Sequence, residues 1–103
     1  MHKVEDLKIW NKAIELVKQV YIIVSQIKRS AISIPSNIAE GAGRNSKKEF
    51  KHFLSIVNGS CYELQTQLVL TTELNFVQKE KLQPIIEACI EIQKMNYSFQ
   101  KTL

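Results

Sequence analysis

Ser33 to Phe50 reads SIPSNIAEGAGRNSKKEF, and this stretch decides the fold because it parts two long runs of helical apolar spacing. Pro35 lies inside an apolar stripe, where it removes one backbone hydrogen bond and clashes with the carbonyl four residues back, at about 3 kcal/mol in a regular helix. A kink is therefore expected at Pro35, with Ser33, Ser36 and Asn37 able to satisfy the freed backbone groups. Gly41 and Gly43 are expected to stop that helix, one of them as a left-handed cap. Ser46-Lys47-Lys48-Glu49 has the form of a capping box, with the serine hydroxyl placed for the Glu49 amide, so a new helix starts there.

Downstream, Phe50, Leu54, Val57, Cys61, Leu64, Leu68 and Thr71 alternate steps of four and three, the spacing of one helix face packed against others. Gly59 and Ser60 fall in mid-helix, where small residues point to the close approach of another helix. Asn75 is placed to cap this segment. A last helix begins between Gln78 and Pro84, with the proline tolerated in a first turn, and carries Leu82, Ile85, Ile86, Cys89, Ile92, Met95 and Phe99 as its stripe.

Upstream, Leu7, Trp10, Ile14, Val17, Tyr21 and Val24 form the stripe of a first helix running from about Glu5 to about Ile23. The next stripe residues are Ile27, Ala31, Ile34 and Ile38, and the step from Val24 to Ile27 is three where four was due. Antiparallel neighbours need a connection of about two to eight residues, and no turn residues stand between the two segments. The favoured reading of the slip is a connecting loop between Tyr21 and Val24 that the 103-residue sequence lacks. The alternative is one unbroken helix of about 45 Å, whose first half could meet a bundle only in another chain.

SIPSNIAEGAGR, then S-x-x-E-F, F-L and G-S-x-x-E-L-x-x-Q-L, together resemble the small bacterial four-helix bundle family first named for intervening sequences in 23S ribosomal RNA genes. That family also holds the accessory variability protein of diversity-generating retroelements. The likeness runs from Leu7 to about Phe99 and is densest over Gln26 to Arg44 and Ser46 to Leu68. It implies an up-down-up-down bundle, commonly assembled as a homopentamer with a central channel. In the retroelement relative it further implies a basic surface engaging reverse transcriptase and nucleic acid. Members usually carry about a dozen residues between the first helix and the Q-I-x-R motif, and this chain has none there.

The charge is uneven. Fourteen Lys and Arg against ten Asp and Glu make the net charge +4, and Lys28, Arg29, Arg44, Lys47, Lys48 and Lys51 against Glu40 and Glu49 account for all of it. These six cations are the candidate nucleic-acid-binding residues, since phosphate contact needs only exposed positive charge. Asn37, Glu40 and Arg44 share a helix face at steps of three and four and form a candidate structural polar network. No nucleophile or metal-ligand set stands beside Glu40, and His2 and His52 are far apart, so no catalytic residue, metal or cofactor is expected. Cys61 and Cys89 sit at apolar helix positions and read as reduced core thiols. The longest apolar run, Val20 to Val24, is far too short to span a bilayer.

The expectation is an all-α, up-down-up-down four-helix bundle over residues 1–103 as a single domain, its second helix kinked at Pro35. It is expected to be a cytoplasmic, non-enzymatic homo-oligomer, with a pentamer favoured, that binds RNA or DNA as an accessory subunit. Reverse transcriptase becomes a partner if the chain belongs to a retroelement. The alternative is a protein-binding scaffold without a nucleic-acid role. Eight aromatics are more than a single small bundle core can bury, so some apolar surface is expected to face another subunit.

Overall fold

A computed structural model describes residues 3–103, apart from the side chains of Gln19 and Val20. Among the described residues there is no strand: a 3-10 turn at Val4–Asp6 leads into α1 (Lys8–Ala42), followed by α2 (Lys47–Glu73) and α3 (Lys79–Gln100). The all-α class stands. The expected first and second helices, however, are one helix of 35 residues that runs through Val24 and Pro35 without a break. No loop lies between Tyr21 and Val24. A step of three in place of four turns the apolar stripe around the helix but removes no backbone hydrogen bond, and Tyr21 to Ile27 contains neither Gly nor Pro. Nothing local therefore opposes propagation. At Pro35 the lost bond is offset by packing, since Ile34 beside it is only 6% exposed and belongs to the core.

Paired contacts along their length show that α1 and α2 run antiparallel. Gly41 faces Phe50 and Phe53, Ser33 Oγ meets Ser60 Oγ at 2.6 Å, and Ile23 and Gln26 share a cleft with Leu70 and Leu74. The α2–α3 pair is antiparallel by the same test. Phe99 meets Phe50 edge-on at 5.5 Å, Asn96 Nδ2 donates to the Leu54 carbonyl at 2.8 Å, and Gln65 Nε2 donates to Gln93 Oε1 at 2.8 Å. Helix α2 lies between the other two, which do not approach each other as a helix pair. The Cα framework is accordingly long and thin, 69 × 29 × 13 Å.

One core joins the three helices: Ile34 from α1, Val57, Cys61, Leu64 and Leu68 from α2, and Leu82 and Cys89 from α3. The α2 stripe read from the sequence is the part most completely buried, as expected for the middle helix of a layer. Ser46 caps α2 by accepting from the Glu49 amide at 3.1 Å. Asn75 closes α2 in the left-handed conformation, φ 61°, while the Phe76 amide reaches back to the Thr71 carbonyl at 3.1 Å, the Schellman pattern. Three expectations are corrected. Gly43 is right-handed, φ −80° and ψ −5°, so the turn after α1 needs no left-handed glycine. Gly59 faces open space, and of the small pair only Ser60 meets another helix. Pro84 stands a turn beyond the first turn of α3, which starts at Lys79.

Cys61 and Cys89 are free and buried in this core. Burial, and secondarily the charge of Cys89, pushes the Cys61 thiol up; burial likewise raises Cys89 against a smaller opposing backbone hydrogen bond. A thiol whose folded value exceeds its unfolded one holds its proton in the native state after the unfolded chain has lost it. Its contribution is therefore complete below the ordinary value of 9.0 and is lost as pH rises through the folded value. Urea midpoints measured at pH 7, 9 and 10 should fall across the upper step, and a Cys61→Ala/Cys89→Ala variant should fall less. Equal declines in the two proteins would remove the thiols as the cause.

Candidate nucleic-acid interface

Four of the six candidate cations meet at the α1–α2 turn. Lys47 and Lys51 are four residues apart and Lys48 and Lys51 three, so the first turns of α2 place all three lysines on one exposed face. Arg44 enters from the other side of the turn, but its guanidinium is already engaged. It pairs with Glu40 one helical turn back, and its Cζ lies 5.0 Å from the centre of the Phe53 ring. Among the described residues this is the one ion pair, so Lys47, Lys48 and Lys51 keep their charge available to solvent and to anions. Arg44 is instead paired at the edge of the cluster.

Lys28 and Arg29 are exposed too, but they do not join this group. They precede Ala42 on the same unbroken helix by 13 to 14 residues, about 20 Å at 1.5 Å per residue. The antiparallel partner beside them is the Glu63–Gln67 part of α2, which brings no cation. The polar triad is divided as well. Asn37 Nδ2 donates to the Ser33 carbonyl at 2.7 Å, and Ser33 in turn ties α1 to α2 through Ser60. Glu40 and Arg44 form a separate pair at the helix end. Spacing put the three residues on one face, but each side chain reaches for its nearest partner within one turn.

A second polar group links α2 and α3. Gln93 accepts from Gln65 Nε2 at 2.8 Å and donates to Asn58 Oδ1 at 3.1 Å, while Asn96 Oδ1 accepts from Gln100 Nε2 at 3.0 Å. Asn58 and Gln93 border an open groove that also takes in the exposed Tyr62 and Tyr97. The available signal was an amide at the edge of each apolar stripe, but such residues read equally as solvated positions until the facing helix is known.

A family model described as 23S rRNA-intervening sequence protein matches residues 5–98. No curated protein and no solved structure matches the chain.

Proposed function

Because the chain belongs to the 23S rRNA-intervening sequence protein family, we propose that it is a self-assembling, non-enzymatic protein that binds nucleic acid through the α1–α2 turn. The observation that carries this reading is the face of Lys47, Lys48 and Lys51, exposed, free of carboxylate partners and flanked by Arg44. Such a face contacts phosphates without reading base sequence. The site of action on this reading is the cytoplasm.

The test is a titration against generic RNA and DNA at several salt concentrations. Three phosphate contacts on a duplex, one for each free lysine, give a slope of roughly −2.7 in log affinity against log salt. Replacing Arg44, Lys47, Lys48 and Lys51 together by Gln should flatten that slope by about three, whereas Lys28→Gln/Arg29→Gln should change it by less than half as much. An unchanged slope in the fourfold variant would remove the turn from the mechanism. Absence of binding at about 50 mM salt, where phosphate contacts are strong, would favour a protein-binding scaffold. That second reading draws support from the apolar surface left open along α1.

A further inference from the structure

The groove between α2 and α3 combines aromatic, amide and cationic side chains. Asn58 and Tyr62 of α2 and Gln93, Lys94 and Tyr97 of α3 line it, and no carboxylate is among its lining residues. Tyr62 is 61% exposed and Tyr97 67%, although each ring carries enough apolar area to favour a covered place. Side chains on a helix lean toward its N-terminus, so in this antiparallel pair the two tyrosines lean toward each other across the groove. The rings leave flat faces open to whatever enters.

The polar groups beside the rings are held in place. Gln65 Nε2 donates to Gln93 Oε1 at 2.8 Å and Gln93 Nε2 to Asn58 Oδ1 at 3.1 Å, which orients the Asn58 amide and leaves its Nδ2 without an acceptor among the described residues. Lys94 lines the groove, and Lys101 Nζ stands 4.3 Å from the centre of the Tyr97 ring. Among the described residues neither lysine pairs with a carboxylate. Lys51, Ser55, Asn58 and Tyr62 step by four, three and four, so one face of α2 joins the groove to the lysine face at the turn. A second cleft, lined by Ser55, Asn58 and Tyr97, fills the interval. Open rings, an oriented amide donor and free cations suit an unpaired nucleotide, whose base stacks while its edge meets the amide and its phosphate a lysine. An acidic peptide would satisfy the lysines but leave both rings without a flat partner.

We propose that the α2–α3 groove holds unpaired bases of a single-stranded nucleic acid, with Tyr62 and Tyr97 as stacking surfaces, Asn58 Nδ2 as a donor to a base edge, and Lys94 and Lys101 as phosphate contacts. The strand continues past Lys51 onto the lysine face. This inference rests on the nucleic-acid part of the proposed function and deepens it. Phosphate contact alone accepts duplex and single strand alike, whereas the groove admits only bases that have left the helical stack. A preference for single strands follows.

Anisotropy titrations at about 50 mM salt test it, with a labelled oligo(U) of about 15 nucleotides and with the same strand paired to oligo(A). The parent should bind the single strand more tightly than the duplex. Tyr62→Ala/Tyr97→Ala removes two exposed side chains and should keep its helix content. It should weaken single-strand binding by about 30-fold or more, at roughly fivefold or more per stacked base, and leave duplex binding almost unchanged. Tyr62→Phe/Tyr97→Phe keeps the rings and should bind the single strand within about threefold of the parent. Lys94→Gln/Lys101→Gln should flatten the single-strand salt slope by about 1.4, at about 0.7 per phosphate. No loss in the alanine variant, or equal losses on single strand and duplex, would overturn the groove while leaving the lysine face in place. Tyrosine-dependent binding that survives in the fourfold Arg44, Lys47, Lys48 and Lys51 variant would support the groove and remove the turn. Absence of binding to either probe would overturn both.

Discussion

Gly41→Ala should lower the free energy of unfolding by about 1–3 kcal/mol, although Ala is ordinarily the better helix residue by about 1 kcal/mol. The sign reverses because of what a methyl group would meet. A Cβ at Gly41 would stand 2.8 Å from Phe53 Cβ and 2.9 Å from Phe50 Cδ1, and the first of these is anchored directly to the α2 backbone. Neither ring nor backbone can yield without opening the turn that holds Arg44 and the lysine face. Gly43→Ala is the control, because its Cβ would find only carbonyl oxygens at 3.6 and 3.7 Å and its φ is ordinary. Urea unfolding of the two variants side by side decides the point. If Gly41→Ala is as stable as the parent, the helices are not in close contact there.

Leu64→Ala should cost more, about 2–5 kcal/mol, a large share of the roughly 5–15 kcal/mol that holds an ordinary domain together. Leu64 is only 4% exposed and packs among Cys61, Leu68 and residues of both flanking helices, so its removal leaves a cavity that three elements would have to close. Leu16→Ala removes the same atoms from the first half of α1, off the apolar stripe and half exposed, and should change stability by less than about 0.5 kcal/mol. The contrast between two identical substitutions isolates burial from residue type. A loss below about 1 kcal/mol at Leu64 would place the core elsewhere.

What could be read in the residues was local or periodic. Ser46 with Glu49, and Asn75 after Thr71 and Thr72, act within a few residues of themselves, so capping chemistry alone located both ends of α2. The alternating stripe from Phe50 to Thr71 likewise identified its buried face, because a helix repeats its geometry whatever it packs against. The clustering of Arg44 with Lys47, Lys48 and Lys51 was legible for the same reason: one short turn confines them.

Lys28 and Arg29 fell outside that cluster because charge counted along the chain ignores 20 Å of rigid helix. The division of Asn37 from Glu40 and Arg44 depended on which acceptor each side chain reached first, a matter of ångströms that spacing does not carry. The Val24 junction is the plainest case. The sequence alone established that the apolar phase changes there, but a changed phase is compatible with a turn or with a straight helix that changes partners. Only the tertiary structure decided for the unbroken helix, since backbone hydrogen bonding continues through Tyr21 to Ile27 regardless of which face is apolar.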